Sequence, residues 1–280
     1  MLPPLPAQSD LADHCREAAH RERLQPWTVE KDLFLTRLIW ALAGVHGERL
    51  LLKGGTCLSK CDLGYHRMSE DVDLVIPGQP QADRGSNYRR MNVVARSLGR
   101  LESSVGTRLL SFDGERHERG AHALWELRYP SAFLPERSSV IVVEAAIRPA
   151  LLPPRRASLR QILSADAVAG YEAAYCWALD ASEVRAEKVR AAFTREEREI
   201  RDFYDLGLLA RSGADMASRG FCRLVDRKLA EVDARPLSRQ PPTFGLTARQ
   251  RTEVNAGRRS LQSVVRVDEP EFDLDAVLRH

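Results

Sequence analysis

No run of this sequence is long and apolar enough to cross a bilayer. The longest apolar stretch, "LFLTRLIWALAGV", is interrupted by Thr36 and Arg37 and falls short of the roughly 20 residues a spanning helix needs. The opening stretch, "MLPPLPAQSDLADHCREAAH", has no apolar core of the kind a signal peptide carries, so neither export nor membrane anchorage is expected. Cysteine is scarce and unordered: Cys15, Cys57, Cys61, Cys176 and Cys222 are odd in number, with no C-x-x-C pair and no Cys/His cluster at zinc spacing. That excludes a disulfide scaffold or a zinc module, and it suits buried thiols in a reducing cytoplasm. One-sided charge is missing too. Against 39 acidic residues stand 42 basic ones, a net charge of +3, which neither demands nor excludes a nucleic-acid partner. No internal repeat is visible, and the Gly-x-x-x-x-Gly-Lys-Ser/Thr spacing of a Walker A loop is absent.

What is present is an ordinary globular composition, 44% hydrophobic and 29% charged over 280 residues, enough for one large domain or two modest ones. The periodicity of "QPWTVEKDLFLTRLIWALAGV" predicts a helix ending near Gly44 and Gly47. "RLLLK" then reads as a buried strand, "TCLSKCDLG" as a short helix capped by Thr56 and stopped by Gly64, and "DVDLVI" as the next strand. A helix from about Asn87 to Glu102 carries Arg89, Arg90, Arg96 and Arg100 on its polar side, and three strand-like runs follow: "TRLLSF", "HALWELRYP" and "SVIVVEAAI". "DGERHERG" reads as a hairpin loop. After "RPALLPPRR" the texture turns to helix almost throughout, with Asp180 and Glu183 in a capping-box pattern and a Pro-rich break at "RPLSRQPPTFG". The expectation is an α/β (α+β) chain: a mixed-sheet domain over residues 1–155, then a helical domain over 156–280.

The segment "KGGTCLSKCDLGYHRMSEDVDLVI" needs a chemical account. Residues i and i+2 of a strand share a face, so Asp71 and Asp73 place two carboxylates side by side while the strand runs on into Leu74, Val75 and Ile76. Adjacent carboxylates repel unless a proton or a cation shares them. Hard ions such as Mg²⁺ take carboxylate oxygens together with substrate phosphates. Gly54 and Gly55 lack Cβ atoms and let backbone N–H groups approach a phosphate just ahead of a helix start. Either feature alone has a bland reading: a lone D-x-D is usually a solvated turn. Their order, strand–GGT–helix–strand with D-x-D, resembles the signature of the nucleotidyltransferase-fold superfamily. That fold uses a third carboxylate on a neighbouring strand. Glu144, an acid within the apolar "VIVVEAAI", is the candidate, and Glu126 in "LWELRYP" is its rival.

"VEKDLFLTRLIWAL", "LLKGGTCLSK", "RMSEDVDLVI" and "AEKVRAAFTREEREIRDFYDL" together resemble the AbiEii/AbiGii toxin family of nucleotidyltransferases, over roughly residues 28 to 210. The resemblance matches Gly54, Gly55 and Thr56 to the glycine motif, and Ser69, Asp71 and Asp73 to the R-x-S-E-D-x-D segment. It matches Lys188 to the lysine of A-E-K-x-x-A, and Asp202 and Asp205 to R-D-x-x-D-L. It implies a toxin of a bacterial toxin–antitoxin or phage-defence system, with a possible cognate antitoxin, that binds a nucleoside triphosphate and transfers a nucleotide to an RNA acceptor, a tRNA 3′ end. By spacing alone, Lys188 is a solvated helix lysine beside Glu183 or Glu187, Asp202 is a salt-bridge partner of Arg198 or Arg201, and Lys31 and Asp32 carry the same ambiguity.

The expected mechanism is two-metal nucleotidyl transfer. Asp71, Asp73 and Glu144 would hold Mg²⁺ or Mn²⁺. Gly54, Gly55, Thr56, Ser69 and Lys188 would hold the nucleotide, and Asp202 would join the catalytic set, with the helical domain completing the nucleotide cleft. Arg89, Arg96 and Arg100, or Arg155 and Arg156, would track an RNA backbone. Three alternatives stay open: a phosphotransferase on the same scaffold, a catalytically inactive binding module, and an antibiotic nucleotidyltransferase that differs in acceptor only.

Overall fold

The computed structural model describes residues 2–81, 83–232 and 246–278. The chain divides into two compact units, Met1–Leu179 and Asp180–His280. In the first, α1 (Gln8–Glu22) and α2 (Pro26–His46) lead to β1 (Leu51–Leu52) and to α3 (Gly54–Cys57), which runs into a π-helical turn over Leu58–Leu63. Then come β2 (Asp71–Pro77), α4 (Arg84–Val105), β3 (Arg108–Leu109), β4 (Glu115–His117), β5 (His122–Arg128), β6 (Val140–Arg148), β7 (Arg155–Ser158) and β8 (Tyr175–Ala178). The strands form one mixed sheet in the order β3-β5-β6-β2-β1-β8-β7, with β4 also on β5. β1 is antiparallel to β2 and parallel to β8, and β2 is parallel to β6.

Alternation decides what each face of the sheet carries. Val72 and Leu74 of β2, Val143 and Ala145 of β6, and Ala123, Trp125 and Leu127 of β5 are buried on one side, where α2 and α4 pack against the sheet. Burying each large side chain contributes about 1.5–3 kcal/mol. α2 is buried nearly all round, with Val29, Leu33, Leu35 and Leu38 at full burial, so it acts as a core helix rather than an amphipathic one. The residues between these, Asp71, Asp73, Val142, Glu144, His122 and Leu124, project to the opposite face of the same strands and are half-buried.

The second unit's described residues hold α5 (Ala181–Thr194), α6 (Ile200–Arg211), α7 (Arg219–Ala230), α8 (Ala248–Ala256), α9 (Arg258–Gln262) and α10 (Leu274–Leu278), and no strand. The Pro-rich stretch 235–245 lies outside the described residues.

Several expectations change. A boundary after residue 155 falls inside β7, and the units divide instead after Leu179. β7 and β8 are each only four residues, too short for periodicity to reveal, and hydrogen bonding to β1 ties them to the sheet. α1 was not anticipated, and "DGERHERG" contains β4 followed by a tight turn with Glu118 and Arg119 at positive φ. Thr56 caps nothing: α3 starts at Gly54, with Lys53 at its N-cap. Asp180 does cap α5, but through the Ser182 N–H at 2.8 Å. Glu183 turns inward to the buried Lys228 ammonium at 2.7 Å instead of closing a capping box.

Candidate active site

The site grows from the sheet register. In the parallel pair β2–β6, Asp73 stands opposite Glu144 and Asp71 opposite Val142. β1 pairs Leu52 with Leu74, and the Lys53 N–H donates to Asp73 O at 2.9 Å, extending the ladder by one residue. Lys53, Asp73 and Glu144 therefore lie in one cross-strand row. β5 adds Leu124 opposite Glu144 and, one turn of the pleat away, His122. The Lys53 ammonium is 3.3 Å from Glu144 Oε1 and 3.8 Å from Asp73 Oδ1, and His122 Nε2 is 3.3 Å from the same Glu144 oxygen. The ammonium beside Glu144 holds its carboxyl well below the usual carboxylate range; partial burial opposes this and His122 adds to it. Glu126, the rival acid, is exposed and lies two strands from Asp71 with Val142 between them.

The glycine turn is built against these acids. Gly54 has φ +69°, and a Cβ there would overlap Asp73 Oδ2 and sit 2.8 Å from Asp73 Cγ. Only a residue without a side chain lets the backbone pass under the Asp73 carboxylate. A Cβ on Gly55 would overlap the guanidinium of the buried Arg67, 3.3 Å from its Cζ; Arg67 in turn donates to Met68 O at 3.1 Å. The Thr56 hydroxyl, fully buried, lies 2.6 Å from Ser69 Oγ and donates to Asp71 O. Thr56 and Ser69 thus tie the helix after the glycines to the strand that carries the acids. Asp32 supports the same region from α2: it pairs with the buried Lys60 of the π-helical turn at 2.6 Å and accepts from the half-buried Tyr65 at 3.1 Å. Its role is to hold the turn in place.

The remaining expected site residues belong to the second unit. Lys188 on α5 is buried, 2.7 Å from Asp202 Oδ1 and 2.9 Å from Asp205 Oδ2 on α6, and Arg195 lies 3.3 Å from Asp202 Oδ2. The structure brings Lys188 and both aspartates together. Their partners are not the local ones that spacing suggested: Glu183 and Glu187 both face Lys228. Arg89, Arg96 and Arg100 are exposed along α4. Arg155 is turned inward onto Asp62 at 2.6 Å and the Leu179 carbonyl, so it is not available to an RNA backbone, whereas exposed Arg156 stacks on the Tyr175 ring at 4.0 Å.

Sequence reasoning missed Lys53, Arg67 and His122. Lys53 and Arg67 sit inside the quoted motif, yet only the register or the packing against Gly55 reveals what they touch. Among the described residues no three His, Cys, Asp or Glu side chains converge on a metal-sized site. Two hard carboxylates on one strand face do suit an ion of the Mg²⁺ type, which takes one or two protein carboxylates and completes its shell with water and phosphate oxygens.

A family model described as "Nucleotidyl transferase AbiEii toxin, Type IV TA system" matches residues 37–278. The search of curated proteins finds no match. Among solved structures the chain is similar to MenT4, a nucleotidyltransferase toxin from Mycobacterium tuberculosis H37Rv. The likeness is 25% identity over 98% of this chain and 87% of that chain, with a TM-score of 0.68.

Proposed function

The chain belongs to the AbiEii nucleotidyl transferase toxin family of type IV toxin–antitoxin systems, and on that premise we propose that it transfers a nucleotide from a nucleoside triphosphate to a tRNA 3′ end in a divalent-ion-dependent reaction. The observation that carries the reading is the seating of Asp73 over the Gly54 backbone, with Asp71 two residues away on the same strand face. It joins a phosphate-approachable turn and a pair of hard oxygen ligands in one short segment.

The 3′-oxygen of the acceptor forms a bond to the α-phosphorus as the bond to the α–β bridging oxygen breaks, and pyrophosphate leaves. When bound, Mg²⁺ or Mn²⁺ neutralises triphosphate charge and lowers the cost of deprotonating the attacking hydroxyl. Asp71 and Asp73 would hold that ion. Gly54 makes room for the Asp73 carboxylate and Gly55 for the Arg67 guanidinium, the backbone N–H groups of this turn are what the reading turns to the phosphates, and Thr56 with Ser69 keeps the turn at a fixed distance from the acids. Glu144, expected as a third ligand, enters the reading as a carboxylate engaged by Lys53 and His122. Within the second unit, Lys188 and Asp202, with Asp205 sharing the lysine, carry the nucleotide-handling role that the family resemblance implies for them. Arg89, Arg96 and Arg100 offer an exposed basic row for the acceptor's backbone. The family implies a cognate antitoxin as a partner in the cell.

Incubation with each labelled nucleoside triphosphate, total tRNA and Mg²⁺ tests the reading. The expected product is tRNA heavier by a nucleoside monophosphate, lost on chelation of the metal and in Asp71→Ala and Asp73→Ala. Addition of phosphate alone, or near-normal transfer by either variant, would overturn it.

A further inference from the structure

We propose that Lys53 is a resident cation of this site: its ammonium fills the place between Asp73 and Glu144, so the site takes one divalent ion, on Asp71 and Asp73, and not two. The inference rests on the reading above and narrows it.

The argument starts from charge in the cross-strand row. Asp73 and Glu144 are register partners on adjacent strands, where like charges directly opposite destabilise a sheet. Something positive must stand with them. In a two-ion site a metal would do so, and Glu144 would be its ligand. Here the sheet itself supplies a positive charge, the Lys53 ammonium. Lys53 enters from β1 and reaches past Asp73 to Glu144, and His122 enters from β5 on the other side of the same oxygen. Along the row stand a cation and two acids, with the His122 imidazole reaching the second acid from one pleat away on β5.

Geometry leaves little room for a second ion. A Mg²⁺-type ion sits about 2.0–2.1 Å from its carboxylate oxygen, and the Lys53 ammonium already stands 3.3 Å from Glu144 Oε1. Two cations sharing one carboxylate at that range repel strongly. The Lys53 side chain is only 14% exposed and its backbone is tied into the β1–β2 ladder, so the ammonium is held in the row. Glu144 is consequently satisfied without metal, while Asp71, farther along β2, is beyond the row. Lys53 acts as a positioning residue. It engages Asp73 from the side of Glu144 and replaces the charge that a second ion would otherwise bring.

The test counts ions directly. Mn²⁺ is titrated into the full chain with a non-hydrolysable α,β-methylene nucleotide, and bound ion is read by electron paramagnetic resonance. One Mn²⁺ per wild-type chain is expected. Lys53→Met should admit a second, with the spectral broadening of a coupled pair, and Lys53→Met/Glu144→Gln should lose it again. Lys53→Arg, which keeps the charge, should stay at one ion and retain transfer that Lys53→Met loses by at least about tenfold. Two ions on the wild type would overturn the inference, and that count needs no variant to fold. An unchanged count in a folded Lys53→Met would overturn it as well. No ion on the wild type would sink the metal-dependent reading itself, an outcome distinct from two ions with normal transfer, which would sink only the role of Lys53.

Discussion

Replacing Gly54 by alanine puts a single methyl group where the glycine turn meets the acids. At φ +69° an L-residue carries a left-handed backbone penalty of about 1–2 kcal/mol. The new Cβ would also overlap Asp73 Oδ2, 2.8 Å from Cγ and 3.0 Å from Asp73 Cβ. Relief requires the carboxylate to swing off its rotamer, at about 0.5–1.5 kcal/mol. Together the loss of stability should be about 1.5–3.5 kcal/mol. Catalysis should suffer more, because a misplacement of roughly 1 Å costs about a hundredfold in rate. Gly213 provides the control: it has φ +72° and nothing within 4 Å of its hypothetical Cβ, so Gly213→Ala carries only the backbone penalty. A second control removes the obstacle. In an Asp73→Ala background the carboxylate is gone, and Gly54→Ala should cost little more than Gly213→Ala. Urea unfolding of the wild type and the four variants measures the stabilities, and labelled-nucleotide transfer to tRNA measures the rates. If Gly54→Ala is no more destabilising than Gly213→Ala and transfers at a near-normal rate, the close approach of Asp73 to the turn is not what the glycine is for.

Lys188→Met should destabilise the protein by about 3–5 kcal/mol, since it removes the buried ammonium that Asp202 and Asp205 share, against only about 0.2–0.5 for an exposed helix pair; adding Asp202→Asn and Asp205→Asn should recover most of the loss in urea melts. Burial pushes the Glu30 carboxyl up despite hydrogen bonds from Ala132 N–H and Ser131. With its folded value above the unfolded one, its contribution is full at acid pH and lost as pH rises through the folded value. Glu30→Gln should therefore flatten the fall in urea midpoint as pH rises above the ordinary carboxylate range; a parallel fall in both proteins would refute the assignment. Glu144 runs the other way, held low chiefly by Lys53. Its contribution is present above the ordinary carboxylate range and lost on acidification, so the stability gap between wild type and Glu144→Gln should narrow as pH drops.

The motif-bearing half of the fold was legible because its signals are local. The helix of residues 26–46, the strand of Asp71 and Asp73, and the strand of Glu144 each declare themselves by the alternation or periodicity of their own residues. The order of glycine turn and D-x-D needs no partner to be read, and it led to the right family. β7 and β8 were missed because four residues carry too little pattern, and their strand character comes from pairing with β8 and β1 rather than from propensity. The same limit hid the partners of the charged residues. Spacing could offer Lys188 only neighbours on its own helix, whereas α6 supplied Asp202 and Asp205, and Glu183 and Glu187 were drawn to Lys228 on α7. By itself, then, the sequence determined which side chains share a strand face and where the backbone needs glycine, since both follow from bond geometry within a few residues. Which charge stands beside which was decided only in the tertiary structure, because ion pairing acts over a few ångströms of space and is blind to distance along the chain. Lys53 meets Glu144 through the register of three strands, and no shorter stretch of chain contains that information.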